Sequence, residues 1–169
     1  MADYMAYWRS DQVRMALEDA ADGQGIDHAA SEQFGKVRPG DTVWIVNIEK
    51  GTHRFLLVGR IEVAAVVGQR EANRVLRERY GPDYDVYRAS HHLLAIAGSE
   101  QPAREIPLDP VASRLRFVSP SPRDRLSIEN GRVDAQQVRR LRELAPDTKD
   151  LFERLWREAG ARGNRAATH

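Results

Sequence analysis

Two neighbouring histidines, His91 and His92, are the residues whose type and spacing most suggest a metal or acid/base site. Adjacent side chains of a strand point to opposite faces of the sheet, so a regular strand does not direct both at one ion. No His-x-x-x-His or His-Glu-x-x-His pattern accompanies them in the sequence. We therefore expect one buried and one exposed histidine, with no metal and no other cofactor.

Other catalytic signatures are missing from the sequence. Its lack of cysteine excludes disulfides, thiolate metal sites and cysteine nucleophiles. Neither a Gly-x-Ser-x-Gly elbow nor a glycine-rich phosphate loop after a strand occurs. Acidic pairs such as Asp83 and Asp85 are expected on solvated loops, because 30% of the residues are charged. The sequence therefore favours a non-enzymatic protein.

Length and charge set further bounds. A chain of 169 residues fits one domain. A formal charge of +1 gives no uniform field that would attract nucleic acid, although charges can still be segregated by face. The excess of arginine over lysine has two explanations that stay open, a phosphate-binding surface or the base composition of the genome. We find no membrane-spanning stretch or leader pattern and expect a cytoplasmic protein.

The central elements that must position any site form a hairpin. Residues 42–49 and 54–67 are rich in β-branched and aliphatic residues, and residues 50–53 supply a turn between them. Gly59 lies inside the second strand, where glycine permits the bulge or bend that closure of a small barrel requires. An aromatic strand, residues 4–9, and a helix over residues 12–21 precede the hairpin.

The remainder of the chain predicts shorter elements. We expect a helix over residues 71–80. After this helix we expect three strands, at residues 87–98, 104–108 and 114–118. A pair of C-terminal helices carries apolar stripes, which are Val138, Leu141 and Leu144 in the first and Leu151, Phe152, Leu155 and Trp156 in the second. The prediction is an α+β fold, a small mixed barrel flanked by helices, as one domain over residues 1–160 with a disordered tail at 161–169.

A family resemblance depends on the order of these parts. The sequence contains Tyr7-Trp8-Arg9-Ser10, then a helix, Gly25-Ile26, Arg38-Pro39-Gly40-Asp41-Thr42-Val43-Trp44-Ile45 and Gly59-Arg60-Ile61-Glu62-Val63. Over residues 6–67 it resembles the EVE and YTH branch of the PUA-like superfamily. That resemblance implies a compact PUA-like barrel that holds a flipped or single-stranded base beside the end of the first strand.

The resemblance also implies site residues. The base pocket it suggests comprises Trp8, Arg9, Ser10, Ile26, Asp27, His28, Trp44 and Asn47. Methyl-reading relatives carry an aromatic residue after the Gly-Ile-type loop, whereas Asp27 and His28 stand here. Asp27 can accept from an exocyclic amine, or it can belong to an exposed acidic loop. Ser10 can read the base or cap the helix. One of the two tryptophans is expected in the core and the other in the pocket.

Arg70, Arg74 and Arg77 share one face of the predicted middle helix. They can follow a phosphate backbone or form a solvated face. The first hypothesis is a non-enzymatic reader of a modified base, methylated or hydroxymethylated, in DNA or RNA. The alternatives are an ASCH-like enzyme that binds a small molecule or a nucleotide and uses Lys36 or a histidine for hydrolysis, and a protein-interaction module whose helical tail docks a partner.

Overall fold

A mixed sheet forms the centre of the protein in the computed structural model, which describes residues 1–167. The strands are, in chain order, β1 (Asp3–Tyr7), β2 (His28–Ala30), β3 (Thr42–Ile48), β4 (Phe55–Val67), β5 (His92–Ala95), β6 (Ile106–Pro107), β7 (Ile128–Glu129), β8 (Arg132–Val133) and β9 (Arg142–Glu143). The α-helices are α1 (Ser10–Ala21), α2 (Gln69–Tyr80), α3 (Ala135–Val138) and α4 (Pro146–Ala166), and 3-10 helices cover Glu32–Lys36 and Asp109–Arg114.

The strands of the main sheet lie in the order β2-β5-β4-β3-β1-β9, and β6 pairs with β4 outside this path. β1 runs parallel to β3, which requires the long crossover through α1, and the other pairings of this sheet are antiparallel. Within residues 1–167 the end strands β2 and β9 do not pair with each other. The sheet is therefore open, and the structure shows an α+β fold without the closed barrel that the sequence predicted.

The predicted hairpin is present as β3 and β4, with a bulge beside Gly59. Ile45 pairs with Gly59 and Val46 pairs with Leu57, which leaves Val58 as the extra residue. A Cβ atom on Gly59 would lie 2.5 Å from Ile26 Cδ1. Glycine is therefore needed here for close packing.

Both faces of the sheet are buried, which explains the nearly continuous apolar character of β3 and β4. Val43 and Ile45 of β3 face a core that includes Val13 and Ala16 of α1. Trp44 and Val46 face the other core, which is closed by Phe152 and Trp156 of α4. The alternation along β3 therefore separates two apolar layers.

Trp44 is the core tryptophan and does not belong to a surface pocket. Its side chain is completely buried, and Phe152 and Trp156 contact it edge-on with ring centroids 5.7 Å and 6.2 Å away. Its indole Nε1 donates a hydrogen bond to Asp3 Oδ2 at 2.8 Å. The expectation of one core tryptophan is met by Trp44, so the inclusion of Trp44 among the pocket residues was wrong.

The C-terminal region differs from the predicted helical pair. The first helix is reduced to the single turn α3, because Leu144 N instead donates to Asp3 O at 2.8 Å and β9 pairs with the edge of β1. The segment 114–118 forms only an isolated bridge between Phe117 and Leu144. Pairing with the edge of β1 is therefore more favourable for this segment than the helix that its apolar spacing predicts.

The second helix of the predicted pair is present, and it is longer than predicted. α4 continues to Ala166, although the sequence predicted a disordered tail from residue 161. Residues 168 and 169 of that predicted tail lie outside the described part. None of the helices within residues 1–167 is long and apolar enough to cross a bilayer.

Candidate functional site

A cleft of about 300 Å³ opens where β1 ends and α1 begins. Three chain segments and three further residues line it: residues 6–9, residues 30–34, residues 87–89, Gln12, Arg139 and Leu141. Its volume lies at the lower end of the range for small-molecule sites, about 300–1,000 Å³. The cleft is large enough for a ligand the size of a base or nucleoside.

Aromatic rings form much of the lining. Tyr7 and Trp8 come from the end of β1, Phe34 from the first 3-10 helix, and Tyr87 from the loop between α2 and β5. Phe34 is buried in the core, whereas the Tyr87 side chain is 53% exposed. Trp8 is half-buried against the first core, so part of its ring system is held by packing. The half-buried indole of Trp8 and the exposed phenol ring of Tyr87 are therefore suitable for stacking against a flat ligand.

Three arginines supply positive charge to the cleft. Arg9, Arg88 and Arg139 all line it, and they come from distant parts of the sequence. The Arg9 guanidinium contacts Asp11 at 3.2 Å in an exposed ion pair, and the Arg139 guanidinium lies 6.0 Å from the centre of the Tyr7 ring. Guanidinium groups beside aromatic rings favour a ligand that is both planar and anionic.

Two hydrogen bonds of the Gln33 side chain fix one part of the cleft lining. Gln33 Nε2 donates to the main-chain oxygen of Arg139 at 3.1 Å, and Gln33 Oε1 accepts from Leu141 N at 2.6 Å. These bonds join the 3-10 helix to the segment that leads into β9. The position of Arg139 therefore depends on Gln33, and both ends of the Gln33 amide are occupied.

Glu32 is the carboxylate in the lining. Its Oε1 accepts from Ser90 N at 2.9 Å. Hydrogen bonding from Ser90 lowers the pKa of Glu32 below the usual glutamate range, so the side chain is ionised at neutral pH. Within residues 1–167 it forms no ion pair with the cleft arginines. The cleft thus presents one negative acceptor among positive donors.

Of the residues predicted for the base pocket, Trp8 and Arg9 line the cleft. Ser10 and Asn47 do not line it. Asn47 is buried, and its Nδ2 donates to Trp8 O at 2.9 Å and to Ser10 Oγ at 3.4 Å. Ser10 Oγ also accepts from Lys50 N at 3.4 Å in the turn after β3. These two side chains hold the corner between β1 and α1 and do not line its open side.

Asp27 and His28 belong to a separate polar cluster. His28 Nδ1 donates to Asp27 Oδ1 at 2.6 Å, and Arg79 Nη1 lies 2.6 Å from Asp27 Oδ2, which also accepts from the Tyr80 hydroxyl. Tyr84 OH contacts His28 Nε2 at 3.1 Å. This cluster connects the start of β2 to α2, and both oxygens of Asp27 are already occupied by protein donors.

Burial alone would raise the pKa of Asp27, but the hydrogen bonds from His28, Tyr80 and Arg79 outweigh it and hold the pKa well below the usual range. Burial also raises the pKa of Tyr80, and its hydrogen bond to the Asp27 carboxylate adds to that shift. Asp27 is therefore a charged anchor inside the fold. Ile26, the other residue of this loop in the predicted pocket, is buried beneath Gly59.

The predicted phosphate-binding arginines lie exposed on α2, although two of them are engaged within the protein. Arg74 forms ion pairs with Glu71 and Glu78. Arg77 Nε donates to Tyr84 O at 3.3 Å. Arg70 forms no ion pair within residues 1–167, and the adjacent Gln69 accepts from Ala89 N at 2.9 Å, which brings the start of α2 to the 87–89 loop.

The histidine pair and Lys36 lie outside the cleft lining. His92 is buried with Nε2 3.1 Å from Gln69 Oε1, whereas His91 is only half-buried and contacts Ser90 Oγ through Nδ1 at 2.8 Å. Lys36 Nζ lies 5.4 Å from the centre of the Tyr4 ring. No group of three or more potential ligands that could hold a metal occurs within residues 1–167.

Several cleft residues were not identified from the sequence. Tyr87 and Arg88 stand next to each other at the start of the predicted strand 87–98, and an aromatic residue beside an arginine is a local signal that could have been used. Glu32 and Arg139 carry no such signal, because only the tertiary contacts of Gln33 and Ser90 bring them to the cleft. A scan against protein-family models and a search of the curated proteins found no match to this chain.

Proposed function

We propose that the protein is a non-enzymatic reader of nucleic-acid bases, and that its cleft takes a flipped or single-stranded base of DNA or RNA. The observation that carries the proposal is the lining of the cleft, where Trp8 and Tyr87 stand beside three arginines. Stacking on aromatic side chains contributes about 1–3 kcal/mol per base and compensates for the loss of stacking in the strand.

The arginines bind the phosphate backbone of the strand that carries the base. Arg9, Arg88 and Arg139 contact phosphates next to the bound base, and Arg70 extends this path along the start of α2. Arg74 contributes less than the sequence suggested, because Glu71 and Glu78 neutralise it. This local arrangement allows a chain with a formal charge of only +1 to bind a polyanion.

The family proposal rests on the sequence resemblance to the EVE and YTH branch of the PUA-like superfamily. On this proposal the bent sheet corresponds to the PUA-like barrel, left open between β2 and β9. The position of the cleft, at the end of the first strand, supports the same interpretation. A methylated or hydroxymethylated base is the proposed target, with Tyr87 supplying the ring that the loop at Asp27 lacks.

A titration panel tests the proposal. Fluorescently labelled oligonucleotides, plain or methylated or hydroxymethylated, are titrated with the protein as single and double strands of DNA and RNA at low salt. We expect single strands to bind, with affinity that falls steeply as salt rises. A modified strand is expected to bind more tightly than its plain counterpart. Absence of binding to every strand at low salt would overturn the proposal.

A further inference from the structure

The polar side chains of the cleft differ in how much of their hydrogen-bonding capacity is already taken up within the protein. Ser31 Oγ accepts from Gln33 N at 3.0 Å, and Gln12 Oε1 accepts from Arg9 N at 3.0 Å. Both ends of the Gln33 amide are occupied by main-chain groups. Each of these side-chain oxygens is uncharged and already accepts one of the two hydrogen bonds that it can accept.

Glu32 is different because a carboxylate has about four acceptor sites and only one neighbour uses them. Ser90 is its hydrogen-bond partner within residues 1–167, and Arg9, Arg88 and Arg139 make no ion pair with it. The carboxylate is fixed by Ser90 at the first residue of the 3-10 helix and still faces the same cleft as Trp8 and Tyr87. It is an ionised acceptor with free capacity at the edge of a stacking site.

We infer that Glu32 selects bases that carry an exocyclic amino group, which are cytosine, adenine and guanine, against uracil and thymine. This inference rests on the proposed function. An amino group donates an N–H to the carboxylate, as in the pairing of glutamate with cytosine N4. At the position of the amino group, uracil and thymine carry a carbonyl oxygen, which the carboxylate repels. A single methyl group on the amino nitrogen leaves one N–H, so an N-methylated base is still accepted.

The test compares strands that differ at one position. Labelled oligo(dT) strands carry one central dC, dA, dG or dT, and oligo(U) strands with one central C or U repeat the test in RNA. We expect each amino-bearing strand to bind about tenfold more tightly than its all-dT or all-U counterpart, within the range of one good base contact. Because the competing strands share the same phosphates, their affinity ratio is independent of the general electrostatic attraction.

The variant Glu32→Gln gives a sharper result than a truncation. Glutamine keeps an oxygen for the hydrogen bond from Ser90 N and places an NH₂ donor where the carboxylate acceptor was. We expect the preference for amino-bearing strands to disappear or to reverse toward dT and U. Glu158→Gln, on the exposed side of α4, removes the same charge away from the cleft and should leave the ratio unchanged.

The outcomes separate the two proposals. Equal binding of all strands to the wild-type protein, or an unchanged ratio in Glu32→Gln, overturns the role of Glu32 and leaves the base-reading function standing. Absence of binding to every strand overturns the base-reading function and this inference together. A loss of affinity that is the same for all strands in Glu32→Gln also contradicts the inference, since that result indicates a structural role only.

Discussion

Asn47 Nδ2 lies 2.9 Å from the main-chain oxygen of Trp8. Asn47 is buried at the end of β3, whereas Trp8 reaches the cleft, so this one bond connects the interior of the sheet to the proposed binding site. Trp8 N donates in turn to Val46 O at 2.9 Å. Hydrogen bonds of both the N–H and the carbonyl group of Trp8 therefore fix the corner between β1 and α1.

Replacing Asn47 with alanine should destabilise the protein by about 1–3 kcal/mol, because the Trp8 carbonyl loses a buried donor. Urea denaturation followed by far-ultraviolet circular dichroism measures this change. Gln24→Ala serves as the control, since Gln24 is exposed after α1, and it should change the free energy of unfolding by less than about 0.5 kcal/mol. Equal stability of the two variants would show that the Asn47 bond contributes nothing.

Asp27→Asn should destabilise the protein at pH 7 by about 1–3 kcal/mol, because the charged acceptor shared by His28, Arg79 and Tyr80 is lost. The folded-state pKa of Asp27 lies below its unfolded value. Its ionisation therefore stabilises the fold above the unfolded pKa of about 3.9, and this contribution is lost as the pH falls through and below that value.

The measurement is the difference in unfolding free energy between wild type and Asp27→Asn at several pH values. In this difference the contributions of other carboxylates with lowered pKa values, such as Glu32 and Glu49, cancel because both proteins contain them. The difference should be constant near neutrality and shrink below about pH 4. A difference that persists or grows in acid would contradict the role of Asp27 as a charged anchor.

The cleft arginines should control the salt dependence of binding. For a single strand, each lost phosphate contact reduces the slope of log affinity against log salt by about 0.7. We expect Arg88→Gln and Arg139→Gln each to show this reduction. Arg74→Gln should change the slope little, since Glu71 and Glu78 already pair with Arg74. An equal effect of Arg74→Gln would place the phosphate path on α2 instead.

Tyr87 should act through its ring. Tyr87→Ala is expected to weaken single-strand binding by about 1–3 kcal/mol, the usual contribution of one stacked base. Tyr87→Phe keeps the ring and should bind nearly as well as the wild type. Because the Tyr87 side chain is 53% exposed, neither change should lower the stability of the fold appreciably. Equal affinity of Tyr87→Ala and wild type would remove Tyr87 from the site.

The sequence predicts the centre of the fold well, because its signals there are local. The β-rich runs on either side of residues 50–53 form β3 and β4, and the bulge lies beside Gly59 as predicted. The C-terminal half is harder to predict. Leu144 satisfies the spacing of a helix, yet it bonds to Asp3 at a sheet edge more than a hundred residues earlier in the chain.

The site is predictable only in part, for the same reason. Trp8 and Arg9 could be identified because they end a recognisable aromatic strand. Asp27 and His28 directly follow Gly25-Ile26, which belongs to the family resemblance. The residues that they contact, Arg79 and Tyr84, lie more than fifty residues further along the chain. Glu32 and Arg139 likewise line the cleft only through tertiary contacts that no local sequence pattern indicates, whereas the adjacent Tyr87 and Arg88 offer a local signal.

The three tryptophans allow the most direct test of the central claim, that the cleft binds a base. Their indole N–H signals in a two-dimensional ¹H-¹⁵N spectrum are assigned with Trp8→Phe and followed during titration with a single-stranded oligonucleotide. The signal of Trp8 should shift. Those of Trp44, bonded to Asp3, and Trp156, bonded to Gln101, should remain in place. A Trp8 signal that stays unchanged while the oligonucleotide binds, or while no binding occurs, would contradict the account.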